Sequence, residues 1–416
     1  MSEPRAPLAG LRVVESSLLG AAAIGTHLAD LGAEVIKVES PAGDYVREMT
    51  WPIIQGVSLF HLHLNRGKRS LTLDLRNPEG ARVYRELAAR SDVVIEAMRP
   101  GTLERLGLGY ERLREHNPRL VFCTLSGYGM TGPYRDLPSH GIAFDTWAGL
   151  VNPATDDEGF CYIPEHASMG MHAGPLFGAL AILAAVLRAR ETGEGSRMEL
   201  GQSDAAAYMD WYRIETWKAY ERPASEVTGN KSDDYERRAP GTAGMREGVR
   251  YQIYASSDGH VLFMASERAF WKSFCQGVGR MDLFERWPGA RFADHARSNR
   301  ELQRELRAIF ETRTSAEWIE FGSVHNTPIA PVNSPRTIAG DPQFQARFSW
   351  YPAERHQADL LPFPVHFEDG GLPVPAPAPR AGEHTEGVLR QVLGLDDAAI
   401  EALRAQGALG QRGDEQ

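Results

Sequence analysis

The chain has 416 residues, of which 42% are apolar and 24% charged, and carries a net charge of -10. That length exceeds what one hydrophobic core usually serves, so two domains are expected. The negative balance argues against nucleic acid as a main partner and leaves any anionic ligand to be drawn by local basic residues.

Leu11–Glu15 (LRVVE) reads as a short apolar strand, Leu18–Leu31 as an Ala- and Leu-rich helix stopped by Gly32, and Glu34–Glu39 (EVIKVE) as the next strand. Strand, helix and strand in that order make a βαβ unit with a parallel pair. Its turn, ESSLLGAAAIG, lacks the GxGxxG glycines, so no NAD site is expected. Strands at Ser70–Leu73, Asp92–Glu96 and Leu120–Leu125 alternate with helices at Pro78–Ala89 and Leu103–Glu115, which predicts a doubly wound α/β sheet. An apolar helix from Ala173 closes in RARETGEG. A short strand at Met198–Leu200 and a helix over Gln202–Tyr220 follow.

Composition then shifts. Glu221–Gly248 is polar and punctuated by Gly and Pro, as in a linker. Tyr251–Ala265 reads as a hairpin turning at Ser257-Asp258-Gly259. Helices at Ala269–Val278, Asn299–Thr312 and Ser315–Phe321 complete a small α+β domain, and Pro328–Asn333 leads out of it. The boundaries expected are 1–220 for the first part of a large domain, 221–333 for linker and small domain, and 334–416 for the return and tail. The tail is Pro-rich over Leu372–Pro379, then forms two short helices.

The cysteines, Cys123, Cys161 and Cys275, are widely spaced and odd in number, without a disulfide framework or a CxxC metal pattern. No metal is expected, and a reduced, cytoplasmic setting is. MSEPRAPLAG shows no apolar signal-peptide region. The richest apolar segment, Ala173–Leu187, falls short of the ~18 residues needed to cross a bilayer, so it reads as a buried helix and no membrane partner is expected.

Two stretches carry basic residues beside strand ends or helix starts, where an α/β protein holds phosphate. NRGKRSLTLDL (Asn65–Leu75) holds Arg66, Lys68 and Arg69; IEAMRPGTLERLGLGY (Ile95–Tyr110) holds Arg99 and Arg105. With LGAEVIKVESPAGD (Leu31–Asp44), LSGYGMTGPYRD (Leu125–Asp136), RETGEGSRMELGQSDA (Arg190–Ala205) and PIAPVNSPRTIAGDPQFQAR (Pro328–Arg347), in this order, the chain resembles the class III CoA-transferase family, which includes α-methylacyl-CoA racemases.

The resemblance implies a Rossmann-like large domain built from both chain ends, a small inserted domain, and two subunits interlocked as a homodimer. It implies coenzyme A or an acyl-CoA as substrate, with a small carboxylic acid as the other partner. Arg105 matches a position near the CoA phosphates; Met98 and Leu106 match adenine-side positions; Arg69 and Leu71 lie in the adenosine-side segment, and Arg99 stands beside them. For Met98 and Leu106, simple core packing is the competing reading.

The family's transferases attack the thioester with an aspartate just ahead of the long helix. Counting back from RETGEG puts Gly170 there, or Met171 after a one-residue shift, and neither is a nucleophile. The local sequence, IPEHASMGMHAG (Ile163–Gly174), offers Glu165, His166 and His172 instead; aligning GMH with formyl-CoA transferases puts His166 at the aspartate position. In PSHGIAFDTWAGL (Pro138–Leu150), His140 falls where racemases carry a histidine that moves the α-proton of an acyl-CoA, a task suited to imidazole. Asp145 either orients His140 or faces solvent. A basic residue that the family often carries after its first strand is absent from SLLGAAA. Three activities follow as expectations: CoA transfer with a substitute nucleophile, proton abstraction by His140, or ligand binding without transferase chemistry.

Overall fold

The computed structural model describes residues 6–229, 237, 239–240, 245–289, 294–368 and 371–410. Part of the polar stretch read as a linker (230–236, 238 and 241–244) lies outside the described residues. The chain forms two compact units, Met1–Trp211 with Phe348–Gln416, and Tyr212–Arg347.

The first unit is built on six strands: β1 (Arg12–Ser16), β2 (Glu34–Glu39), β3 (Lys68–Thr72), β4 (Val93–Glu96), β5 (Val121–Ser126) and β6 (Ser196–Gly201). Every pairing is parallel, in the order β3-β2-β1-β4-β5-β6. This order reverses direction between β1 and β4, and such switch points leave a ligand crevice at the carboxyl ends of the strands.

The unit's helices include α1 (Ala23–Asp30), α2 (Leu59–Asn65), α3 (Pro78–Ala89), α4 (Thr102–Arg105), α5 (Tyr110–Arg114), α6 (Gly141–Trp147), α7 (Met169–Thr192) and α8 (Gln202–Met209), while α9 (Trp211–Tyr220) belongs almost wholly to the second unit. Both sheet faces are covered over the central strands, and β4 (VVIE) and β5 (VFCTLS) are apolar in nearly continuous runs. Val14, Ile36, Leu71, Val94 and Phe122 pack with α3 and with Val388, Leu389, Ile400 and Leu403 of the chain's end. Val13, Val35, Val93, Cys123 and Leu125 pack with α1 and α7 on the opposite face. The two ends of the chain thus share one core.

The single helix read over Leu103–Glu115 is two short helices. Gly107 between them adopts φ +68°, a left-handed conformation that ends the first. The helix read over Gln202–Tyr220 likewise divides at Asp210. The apolar helix is longer than read: α7 has 24 residues, long and apolar enough by composition alone to cross a bilayer. Its place in the core rests instead on packing, since Ala173, Gly178, Ala179, Ile182, Ala185, Val186 and Ala189 are buried.

The second unit carries an antiparallel sheet of Tyr251–Ala255, His260–Met264 and Ile329–Pro331. Its core is aromatic: Trp271, Phe274, Phe310 and Trp318 are fully enclosed, with Phe274 and Phe310 stacked at 5.5 Å.

Candidate active site

The carboxyl ends of β1, β5 and β6 converge on the first turn of α7. The loop after β1 brings Gly20 there: a Cβ on Gly20 would lie 3.3 Å from the Met171 carbonyl and 3.4 Å from Gln202 Oε1. The glycine-rich loop after β5 lies over the start of α8, where Ser203 N–H donates to the Gly127 carbonyl (3.0 Å) and Met130 N–H to Glu199 Oε2 (3.0 Å). α6 then packs on both α7 and α8.

Position 170 is filled by backbone. A Cβ there would come within 2.8 Å of Phe144 Cβ and 3.3 Å of Ala206 Cβ, so α6 and α8 close over it and only glycine fits without a shift. Gly170 N–H, a free donor at a helix start, is taken by Asp145 Oδ1 at 2.8 Å. The Asp145 side chain is wholly enclosed (0% exposed), so it does not face solvent. Its partner is His166, whose Nε2 stands 3.7 Å from Asp145 Oδ2, within ion-pair reach but beyond hydrogen-bond distance. His166 Nδ1 is 3.0 Å from the Pro164 carbonyl. Asp145 Oδ2, His166 Nε2 and Gln202 Oε1 are buried without a hydrogen-bond partner, an uncommon state that marks a polar site left open.

Three candidates are exposed in the segments around this buried pair. Glu165 is exposed. His140, exposed at the N-cap of α6, makes no side-chain cap bond. The next residue, Gly141, sits against α7, since a Cβ there would strike Met171 Sδ at 2.2 Å. His172, one turn into α7, is exposed too.

The residues matched to CoA divide. Arg99 and Arg105 are exposed after β4; Arg105 Nη2 donates to Thr102 Oγ1 at 2.9 Å, a bond that leaves other guanidinium donors open. Met98 and Leu106 are half-buried and pack against the core. Arg69 is tied to Glu34 Oε1 (2.6 Å) and Gln391 Oε1 (2.8 Å). Leu71 is fully enclosed, so its side chain packs the core and touches no ligand. Glu96, at the end of β4, accepts from Met98 N–H at 2.8 Å, and burial raises its pKa.

Arg66 and Lys68, read as phosphate-facing, are buried instead. Arg66 is held by Asp30 Oδ2 at 2.7 Å, and Lys68 Nζ by Glu15 Oε2 at 2.8 Å. A desolvated cation persists only when a carboxylate meets it, and these two are consumed inside the fold. Among the described residues, no group of three or more His, Cys, Asp or Glu could hold a metal ion.

The chain thus carries a Rossmann-order parallel sheet with a polar cluster at its carboxyl edge. The sequence profile of CoA-transferase family III matches residues 8–385, and the chain belongs to that family. It is 32% identical to the succinyl-CoA–L-malate CoA-transferase beta subunit of Chloroflexus aurantiacus, over 96% of this chain and 97% of that one. It is 28% identical to human succinyl-CoA:glutarate CoA-transferase (97% and 90% covered) and 29% identical to human alpha-methylacyl-CoA racemase (92% and 93%). Its fold matches the crystal structure of a CaiB/BaiF family protein from Brucella suis with a TM-score of 0.73 at 28% identity, covering 94% of this chain and all of the other.

Proposed function

We propose that this protein transfers CoA from an acyl-CoA thioester to a free carboxylic acid, with the Glu165 carboxylate as nucleophile. The observation that supports this reading is that Glu165 is exposed and is the chain neighbour of His166 in the buried Asp145–His166 pair, ahead of a helix start where position 170 holds no side chain. The carboxylate adds to the thioester carbonyl, the C–S bond breaks, and an acyl–glutamyl anhydride forms with release of CoA thiolate. The thiolate then attacks the glutamyl carbonyl, and the donor acid leaves as its carboxylate. The acceptor carboxylate displaces CoA from the glutamyl thioester to form a second anhydride. Attack of CoA on the acceptor's carbonyl regenerates Glu165 and yields the new acyl-CoA.

Arg99 and Arg105 would meet the CoA phosphates, since guanidinium keeps its charge and offers a planar fork. The relatives' donor, succinyl-CoA, is the first donor to test, with L-malate and glutarate as acceptors. A homodimer belongs to this reading; the exposed Leu176, Leu180 and Leu187 along α7 support it.

Incubation with succinyl-CoA followed by hydroxylamine or borohydride should leave a mass-shifted Glu165 peptide. CoA exchange without any modified carboxylate would refute the assignment. The exposed His140 at the start of α6 favours a second reading, α-proton abstraction from the acyl-CoA. That reading requires deuterium from solvent at the α-carbon with no acceptor acid present, and fails if branched acyl-CoAs return unlabelled.

A further inference from the structure

The first turn of α7 is poorly tied by its own backbone. Ser168 at the N-cap makes no side-chain cap bond. Pro175 has no N–H, so the carbonyl four residues before it, that of Met171, receives no helical hydrogen bond. The preceding segment, Ile163–Ser168, lies outside helix and strand, and its Ala167 carbonyl accepts only the short-range bond from Met169 N–H at 2.9 Å. Yet this segment carries Glu165.

What holds it is a relay of side chains. Asp145 comes from a different helix and caps α7 through Gly170 N–H. Its second oxygen faces His166, and the other nitrogen of that ring closes on the Pro164 carbonyl. The imidazole thus touches one residue before Glu165 and is itself the residue after it. The close approach needs glycine at 170, because a side chain there would push Phe144, and Asp145 with it, away from α7.

We propose that Asp145 is a positioning residue: its carboxylate and the His166 imidazole clamp the Ile163–Ser168 segment onto the start of α7 and so fix where Glu165 stands. This rests on Glu165 as the nucleophile. The enclosed Asp145 touches no substrate; it replaces a side chain at position 170 with an anchor delivered from α6.

The test compares Asp145→Asn and His166→Gln with wild type. Asn keeps the shape and can still accept from Gly170 N–H, but offers no charge to His166. Two quantities are read: hydrogen exchange of the peptide spanning Ile163–Ser168, and the rate of hydroxylamine-trapped adduct from succinyl-CoA. Each variant should speed exchange in that peptide and slow trapping by about 100-fold, the scale of a misplaced reacting group, with KM for CoA unchanged. The double variant should lose no more than either single one, because both break one clamp. Wild-type exchange in the variants, or additive losses in the double variant, overturns the clamp. If wild type itself yields no Glu165 adduct, the nucleophile assignment fails, and the exchange measurement alone then decides whether the clamp exists. Should Asp145→Asn fail to fold, His166→Gln, at a partly exposed side chain, answers both questions.

Discussion

Two of the large unit's groups of buried charge are built differently. Beneath β1, β2 and β3, Glu15, Lys37, Asp44 and Lys68 close on one another: Lys68 meets Glu15 Oε2 at 2.8 Å, and Lys37 meets Asp44 Oδ2 at 3.0 Å. Remaining donors are absorbed by carbonyls, Lys37 on Ser17 (2.7 Å) and Lys68 on Ala22 (2.7 Å). Even so, burial lowers Lys68 to about 8, against the pull of Glu15. At α6 and α7 the charged groups stand farther apart, with His166 Nε2 3.7 Å from Asp145 Oδ2, and the exposed Glu165 precedes His166 in the chain. Charges in direct contact stiffen a fold; a looser pair next to an exposed carboxylate is where a reacting group can be positioned.

The contrast breaks first at Lys68. Lys68→Met leaves the buried Glu15 carboxylate with only Ser17 Oγ at 2.7 Å and Lys37 Nζ at 4.0 Å, and loss of one partner of a buried pair costs about 3–5 kcal/mol. Urea denaturation should show that loss. An unchanged midpoint would mean that the inner network contributes nothing, and the distinction between the two groups would fall.

The next test is acid. His27 is lowered to about 4 by burial first, then by the Arg66 and Lys68 charges; His63 is lowered to about 3 by burial, then by Arg66. Both are therefore neutral in the folded state at pH 5, while an unfolded histidine takes up a proton near 6.5. Between these values the unfolded chain binds more protons, so stability is full above about 6.5 and falls as pH drops toward 4. The slope is on the order of 1 kcal/mol per histidine per pH unit. His27→Phe should flatten it in denaturation curves taken from pH 7 to 5; an equally steep slope would place the acid sensitivity elsewhere.

The central strands were legible because a doubly covered sheet favours short apolar runs bounded by turns, as in LVFCTL, while the charged EVIKVE was legible from its β-branched residues and its place after a helix stopped by Gly32. The sequence names Arg66 and Lys68 as basic but not their partners: Asp30 lies 36 residues from Arg66, and Glu15 lies 53 from Lys68. Only folding reveals that these charges are spent inside. Gly170 is visible as a missing acid, while the reason for it, Phe144 at its face and Asp145 on its amide, arises where two helices touch. Asp145 itself carries no local signal, since its contact is with a backbone N–H 25 residues away.

The smallest effect separates the two outer arginines. Arg69 is engaged by Glu34 and Gln391, so Arg69→Ala removes a partly exposed ion pair worth at most about 1 kcal/mol and leaves CoA affinity nearly unchanged. Among the described residues, Arg105 bonds to Thr102 Oγ1 in its own helix turn and to the Pro100 carbonyl just before it, so Arg105→Ala should leave stability unaltered. If it meets CoA phosphate, its loss weakens binding about tenfold, close to 1.4 kcal/mol, and the deficit narrows as salt screens the wild-type contact. Calorimetry with CoA at two ionic strengths reads both. Equal affinity for wild type and Arg105→Ala would move the phosphate away from the β4 loop; a loss with Arg69→Ala alone would move it to the edge strand β3.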